Sequence, residues 1–406
     1  MNERPERSDR KLRILHVLRA PLGGLFRHVV DLAREQVARG HAVGFVVDSL
    51  TGGERAAANL ATLEPILELG IKRLPMLRQP HLQDIGATLK IAAHARRLKA
   101  DVVHGHGSKG GLYARLPAFL PGRGTAIRCY TPHGGSFNHV AAPLVQAVYM
   151  GVEKLLARRT DVLLFESVYI ANRFRQRIGE CEALVRIVQN GISQAEFTPV
   201  RPNRDAADFV YVGELRSAKG IDTLVDATAM LSRRLDRDVK LILVGSGPDQ
   251  AKLEQQARQR GIADHVSFPG AMPAREAFAL GRTLVVPSRA ESLPYIVLEA
   301  AGAQVPMVAT DVGGVGEIFG PYRDRLIACD DPLALAAAME RALEMDAAST
   351  RRQAEELASF VATRFLITIM ADSVLCGYDD AIARRTTTHA PYGSRLAGAE
   401  RARPIL

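Results

Sequence analysis

Two carboxylates eight residues apart, Glu291 and Glu299, lie in the segment VVPSRAESLPYIVLEAAGA with Pro294 between them. Proline breaks a helix interior, so Glu291 is predicted on a loop and Glu299 on the helix that follows. Ionised carboxylates accept several hydrogen bonds each and suit a ligand rich in hydroxyls; an exposed helix carboxylate would by itself also account for Glu299. Lys219, with Arg216 three residues before it, stands just beyond the apolar run FVYVGEL. Cations there can meet the negative charge that develops on a departing anion. Gly23 and Gly24 follow the run RILHVL, and Gly245-Ser246-Gly247-Pro248 follows LILV. Such glycine turns let backbone N–H groups approach an anion closely, although an ordinary turn needs glycine too. His133, in TPHGG, offers an imidazole able to donate or accept near neutral pH. His104 and His106 share one strand face in DVVHGH, but a metal site needs further defined ligands, so none is predicted.

The elements that must place these residues are legible as short apolar runs alternating with amphipathic segments, the pattern of repeated βα units. In the first half the runs are 13–18, 42–47, 71–76, 101–106, 126–131, 161–167 and 185–190; in the second they are 209–215, 240–245, 265–270, 283–288, 306–311 and 325–330. The clearest helix runs from Phe26 to Arg39 and is closed by Gly40. Between the halves, 198–208 is polar with two prolines and reads as a linker. Ligands of parallel sheets sit at the carboxyl ends of the strands, where the residues above are found.

The chain has 406 residues, 47% hydrophobic and 24% charged, which excludes disordered and collagen-like classes. It carries no long uninterrupted apolar run, and its first 13 residues are charged, so the expected compartment is the cytoplasm. The four cysteines are scattered without a C-x-x-C, giving neither a disulfide framework nor a zinc motif. The net charge of +9 is unevenly distributed: residues 14–198 carry +9 and residues 199–380 carry −6. A basic half suggests an anionic partner, but 5% aromatic residues and no Trp argue against nucleic acid. Arg-rich codon usage accounts for the excess equally well. Gly105, Gly107 and Gly110 spell G-x-G-x-x-G, yet no Asp or Glu occurs between Asp101 and Glu153 to hold a ribose. These glycines are predicted to form a tight turn at a sheet edge, and a nicotinamide or flavin enzyme is disfavoured.

The segment from VVPS to GGVGEI resembles the signature of retaining glycosyltransferases of family 4, with its E-x7-E at Glu291 and Glu299 and its glycine loop at Asp311, Gly313, Gly314 and Glu317. Further matching landmarks are Gly23 and Gly24, Asp101-x-x-His104-x-His106, His133, Asn190-Gly191-Ile192, GELRSAKGIDTLVDA and LILVGSGP. The resemblance covers about residues 13–380. It implies an α/β chain of GT-B fold, two Rossmann-like domains facing a central cleft, with 13–198 on the acceptor side, 199–380 binding the nucleotide-sugar, and the last helix able to return to the first domain. Residues 1–12 and 384–406 are expected to be tails. By resemblance Lys219 contacts the donor pyrophosphate, Glu291 the donor sugar and Glu299 the ribose, while His133 serves the donor sugar or acceptor. Glu291 and His133 are thus the catalytic candidates, and Gly23, Gly24, Arg216, Lys219, Gly245, Gly247 and Glu299 the donor-binding ones. Three positions depart from the family pattern. Glu214 stands where arginine is usual, with Arg216 placed to compensate; Ser292 replaces a glycine, and Ser193 an aspartate. The expected activity is transfer of a hexosyl unit from a nucleotide-diphosphate-sugar to a glycan or polyprenyl-linked acceptor, without a cofactor or essential metal. The apolar stretch from Leu144 to Arg159, ending in Lys154, Arg158 and Arg159, suits contact with an anionic membrane surface; packing on the first sheet is the alternative. The alternatives are a sugar-nucleotide epimerase of the same architecture and a basic nucleic-acid or regulatory binding module.

Overall fold

The computed structural model describes residues 10–119, 125–138 and 143–388. The chain divides into two compact units, one of residues 1–165, 177–186 and 371–406, the other of 166–176 and 187–370. The expected tails at 1–9 and 389–406 lie outside the described residues, and residues 384–388 continue the last helix.

In the first unit the chain runs β1 (Arg13–Leu18), α1 (Gly23–Ala38), β2 (Ala42–Asp48), α2 (Gly53–Ala61), β3 (Gly70–Leu74), α3 (Gln83–Arg97), β4 (Val102–His106), α4 (Gly107–Arg115), β5 (Ile127–Thr131), α5 (Pro143–Ala157) and β6 (Val162–Phe165); α6 (Val168–Ile178) then leads to β7 (Leu184–Ile187). The seven strands form one sheet in the order β3-β2-β1-β4-β5-β6-β7. The assigned pairings from β3 through β6 are parallel. All seven residues of β2 are buried, as expected of a strand covered on both faces. β3 ends before Pro75, which has no N–H to donate to a ladder. Gly105 and Gly107 do not lie at a sheet edge as expected, because β4 pairs with both β1 and β5. Gly110 instead allows α4 to lie directly on the sheet: a Cβ there would stand 2.2 Å from the carbonyl oxygen of Val17.

The second unit continues with β8 (Ala207–Val212), α7 (Ile221–Leu235), β9 (Leu241–Val244), α8 (Gln250–Arg260), β10 (Val266–Gly270), α9 (Ala274–Phe278), β11 (Gly281–Val286), α10 (Tyr295–Gly302), β12 (Met307–Ala309), α11 (Val315–Phe319), α12 (Pro332–Glu344), α13 (Ala347–Ala362) and α14 (Ile367–Thr388), whose later turns belong to the first unit. Its parallel sheet has the order β10-β9-β8-β11-β12. The apolar run 325–330 does not form the expected strand. It makes one isolated bridge, Ile327 to Thr310, because a short helical turn over Gly320–Arg325 runs into it and Pro332 opens α12 just after it. The expected linker is held against the second unit, with the Val200 and Asn203 N–H groups donating to Ala303 and Ala279.

In each sheet the chain winds outward in one direction and then jumps back to wind in the other. The reversal falls between β1 and β4 in the first sheet and between β8 and β11 in the second. At such a point the loops leaving two neighbouring strands diverge, which opens a crevice beyond their carboxyl ends.

Candidate active site

In the second unit that crevice is flanked by Lys219, in a single helical turn after β8, and Glu291, on the loop after β11. Lys219 Nζ donates to Glu291 Oε1 at 2.6 Å, and Ser288 Oγ donates to the same oxygen at 2.7 Å. The pair is largely shielded, with 18% of the lysine and 8% of the glutamate side chain exposed. Arg289 ties the two loops together. Its guanidinium bonds both Asp222 oxygens at 2.8 and 2.9 Å and the Thr223 hydroxyl at 3.1 Å, and it pairs with Asp330. Hydrogen bonding to Asp222 raises the arginine pKa above its already high value, so this tie is charged at every relevant pH.

The glycine loop after β12 is pressed onto the same segment. Gly313 has φ +59, and a Cβ on it would lie 1.8 Å from the Glu291 carbonyl oxygen, so only glycine fits. Beyond it, the Glu317 carboxylate accepts from the N–H groups of Val168 and Tyr169, at 3.0 and 2.9 Å, capping the start of α6. Gln189 donates to Glu317 as well, at 3.0 Å. Glu299 lies within α10, which begins at Tyr295, so loop and helix divide at Pro294 as predicted.

Gly245 and Gly247 follow β9, next to β8 in the sheet. Gly245 has φ +145 and a Cβ would meet the Gly213 carbonyl oxygen at 1.8 Å. This close approach lets the Leu215 N–H reach Ser246 and the Asp249 N–H reach Leu215, both at 3.0 Å. Arg216 does not join Lys219 in that bonded group: it pairs with Glu214 at 3.0 Å, both side chains being well exposed. The acid that replaces the family's arginine is thereby neutralised by the cation two residues on.

In the first unit Gly23 and Gly24 open α1 directly after β1. His133 follows β5 and Pro132 with φ +49, an uncommon backbone state for a residue with a Cβ and one that collects at functional sites. It is the partly exposed end of a histidine cluster. His106 Nδ1 faces His133 Nε2 at 3.1 Å, His106 Nε2 faces His16 Nδ1 at 2.9 Å, and His16 Nε2 faces Gln36 Oε1 at 2.8 Å. His104 lies between the Tyr378 hydroxyl at 2.7 Å and the Thr131 hydroxyl at 2.8 Å, and the His28 ring packs edge-on against His133. Register explains the assembly: His16 is paired with His104 on neighbouring strands, and His106 with Thr131. Burial lowers the His16 pKa to about 4 and those of His104, His106 and His133 well below the usual value, so the rings are neutral. Two overlapping triads, His16/His104/His106 and His28/His106/His133, bring one potential ligand atom each within 4.8 Å of one another, close enough to hold a transition metal.

Sequence reasoning missed Ser288, Arg289, His16, His28, Gln36 and Tyr378. Ser288 and Arg289 lie inside the quoted signature and were open to notice. Gln36 and Tyr378 are 342 residues apart and carry no local signal.

Residues 22–196 match the model of Glycosyltransferase Family 4, and residues 193–359 match that of Glycosyl transferases group 1. The chain is 28% identical over 359 residues to a glycogen synthase of Mycobacterium tuberculosis, covering 82% of this chain and 85% of that one. It is 29% identical over 279 residues to the putative glycosyltransferase EpsD of Bacillus subtilis, covering 65% and 72%. Among solved structures, Anabaena Alr3699/HepE in complex with UDP-glucose superposes with a TM-score of 0.72 at 19% identity, covering 92% of this chain and 100% of that one. These relatives give no support to an epimerase or a nucleic-acid module. With two consecutive family models spanning both sheets and a GT-B neighbour matching across them, the chain belongs to the family 4 glycosyltransferases of GT-B fold.

Proposed function

We propose that the protein moves a hexosyl unit, with retention of anomeric configuration, from a nucleotide-diphosphate-sugar to a hydroxyl of a glycan or polyprenyl-linked acceptor in bacterial envelope or exopolysaccharide assembly. The observation that carries this reading is the shielded Lys219–Glu291 pair at the strand-order reversal of the second sheet. Cleavage of a glycosyl phosphate bond places negative charge on the leaving diphosphate; a preorganised cation there lowers the barrier without moving at the moment of reaction. Lys219 takes that role, and Arg216 joins it by exchanging its exposed Glu214 partner for the phosphate. Glu291 accepts from hydroxyls of the donor sugar, Glu299 from the ribose, and the turns at Gly245 and Gly247 receive the nucleotide. Gly23 and Gly24 open a helix N-terminus to phosphate, and His133 hydrogen-bonds the donor sugar or orients the acceptor. The UDP-glucose complex of the Anabaena relative supports a nucleotide-sugar donor.

A panel of UDP-, GDP- and ADP-sugars, assayed for binding and slow hydrolysis with and without EDTA, tests this. One donor class is expected to bind, with turnover unaffected by EDTA because side chains and backbone N–H groups neutralise the diphosphate. Binding of none would overturn the reading. Loss of activity on chelation, restored by manganese, would overturn metal independence.

For the acceptor side we propose docking on an anionic membrane surface through α5. Leu144, Val145, Val148, Val152 and Leu155 are exposed, Leu144 by 79%, and fall on one broad stripe of the helix. Lys154, Arg158 and Arg159 follow at its C-terminal end, each worth about 1 kcal/mol near anionic lipid. Among the described residues no helix is long and apolar enough to cross a membrane. In flotation assays the protein is expected to rise with anionic vesicles at low salt, less at high salt, and Leu144→Glu/Val148→Glu to abolish it. Equal recovery on neutral vesicles would remove the charge argument.

A further inference from the structure

The four side chains Gln36, His16, His106 and His133 form one unbranched line of hydrogen bonds, at 2.8, 2.9 and 3.1 Å. A neutral imidazole has one donor nitrogen and one acceptor nitrogen, so fixing one end of such a line fixes every ring in it. Gln36 Oε1 can only accept, so His16 Nε2 carries its proton and His16 Nδ1 is bare. His106 Nε2 must then donate to it, leaving His106 Nδ1 bare to accept from His133 Nε2. The same amide governs a second line. Its nitrogen points to the Tyr378 hydroxyl at 3.5 Å; that hydroxyl donates to His104 Nδ1 at 2.7 Å, and His104 Nε2 donates to Thr131 at 2.8 Å.

We propose that Gln36 is a positioning residue that sets the tautomer of His133 through two intervening imidazoles, presenting His133 Nδ1 as a hydrogen-bond acceptor to a sugar hydroxyl. The role given to that nitrogen rests on the proposed function; the tautomer does not. His16, His104 and His106 are 0, 0 and 1% exposed, which keeps water from competing along the line, and the pKa depression from burial keeps the rings neutral. An amide neither gives up nor takes a proton in this pH range, so the line is closed at Gln36. It orients His133 and does not conduct protons away from it. Turning the amide over would reverse every bond and place a proton on His133 Nδ1, which would then repel the hydroxyl donor it is meant to accept.

The test is long-range proton–nitrogen NMR of the full chain labelled with [15N]histidine, the His133 signals being identified by their loss in His133→Asn. An unprotonated Nδ1 and protonated Nε2 are expected for His133 in the free protein. Gln36→Met, of similar shape but without amide, makes the two directions equivalent, and His133 is expected to show both tautomers. His106→Phe cuts the line midway and should mix the His133 tautomers while leaving His16 unchanged. A protonated His133 Nδ1 in the unaltered protein overturns the proposal, as does an unmixed His133 signature in either folded variant. If the tautomers behave as stated while His133→Ala retains full transferase activity, it is the placement of His133 in the site that falls.

Discussion

Lys219→Ala is expected to reduce kcat/KM for the nucleotide-sugar by about 10²–10³, the effect of removing one preorganised group that stabilises charge in the transition state. Two consequences of the change act together. Under the proposed function the diphosphate loses a fixed cation, and Glu291 loses the partner that holds Oε1 at 2.6 Å, keeping the Ser288 hydroxyl at 2.7 Å. The glutamate is then free to turn, so the donor sugar is held less well even where the phosphate is bound. With Glu299 in its proposed place at the ribose, Glu299→Ala should act mainly on donor affinity, by about 10-fold or more, since hydrogen bonds to charged groups are worth about 1.5–3 kcal/mol. Calorimetric titration with the donor, alongside steady-state rates and circular dichroism, separates the two. Unchanged donor affinity and turnover in both folded variants would remove these residues from the site.

The second large effect is acid lability of the first unit. His16 is held at a pKa of about 4 by burial, opposed only in part by its bond to Gln36, against 6.5 for an exposed histidine. A histidine depressed in the folded state stabilises the fold above its unfolded pKa, and that stability is lost as pH falls towards the folded one. Between about pH 6.5 and pH 4 the unfolded chain binds the proton more readily, so unfolding is favoured as pH drops. For His16 alone this amounts to ~3 kcal/mol at one pKa unit per 1.36 kcal/mol. His104, His106 and His133 are depressed in the same direction and add to it. The groups facing these rings include one another, His28 and Gln36 from α1, Phe45 from β2, Thr131 from β5, and Tyr378 from α14. Thermal unfolding followed from pH 7.5 to pH 4.5 should show a Tm that falls by several degrees below pH 6.5. In His16→Asn the fall should be shallower, because one of the protons taken up on unfolding is gone. A flat Tm across that range would contradict the neutral buried cluster.

The pattern of short apolar runs and amphipathic segments was sufficient to establish paired α/β halves, because burial on both faces of a parallel strand is written into consecutive residues. Pro294 was likewise enough to separate the Glu291 loop from the Glu299 helix, since the missing N–H is a local fact. Strand order was not legible. The glycines at 105–110 looked like an edge turn, yet β4 lies between β1 and β5, and nothing within β4 states who its neighbours are. The run at 325–330 has strand composition but makes a single bridge, since a preceding helical turn and a following proline leave it no length to pair. Tertiary structure alone brought Lys219 onto Glu291 across 72 positions, whereas the pairing of Arg216 with Glu214 is a local contact between residues two apart. It also gathered histidines from β1, α1, β4 and the loop after β5 around Gln36 and Tyr378. Sequence spacing encodes which face of an element a side chain shares; which faces meet is decided by sheet order and helix packing, and the chemistry of the imidazole cluster exists only once they have met.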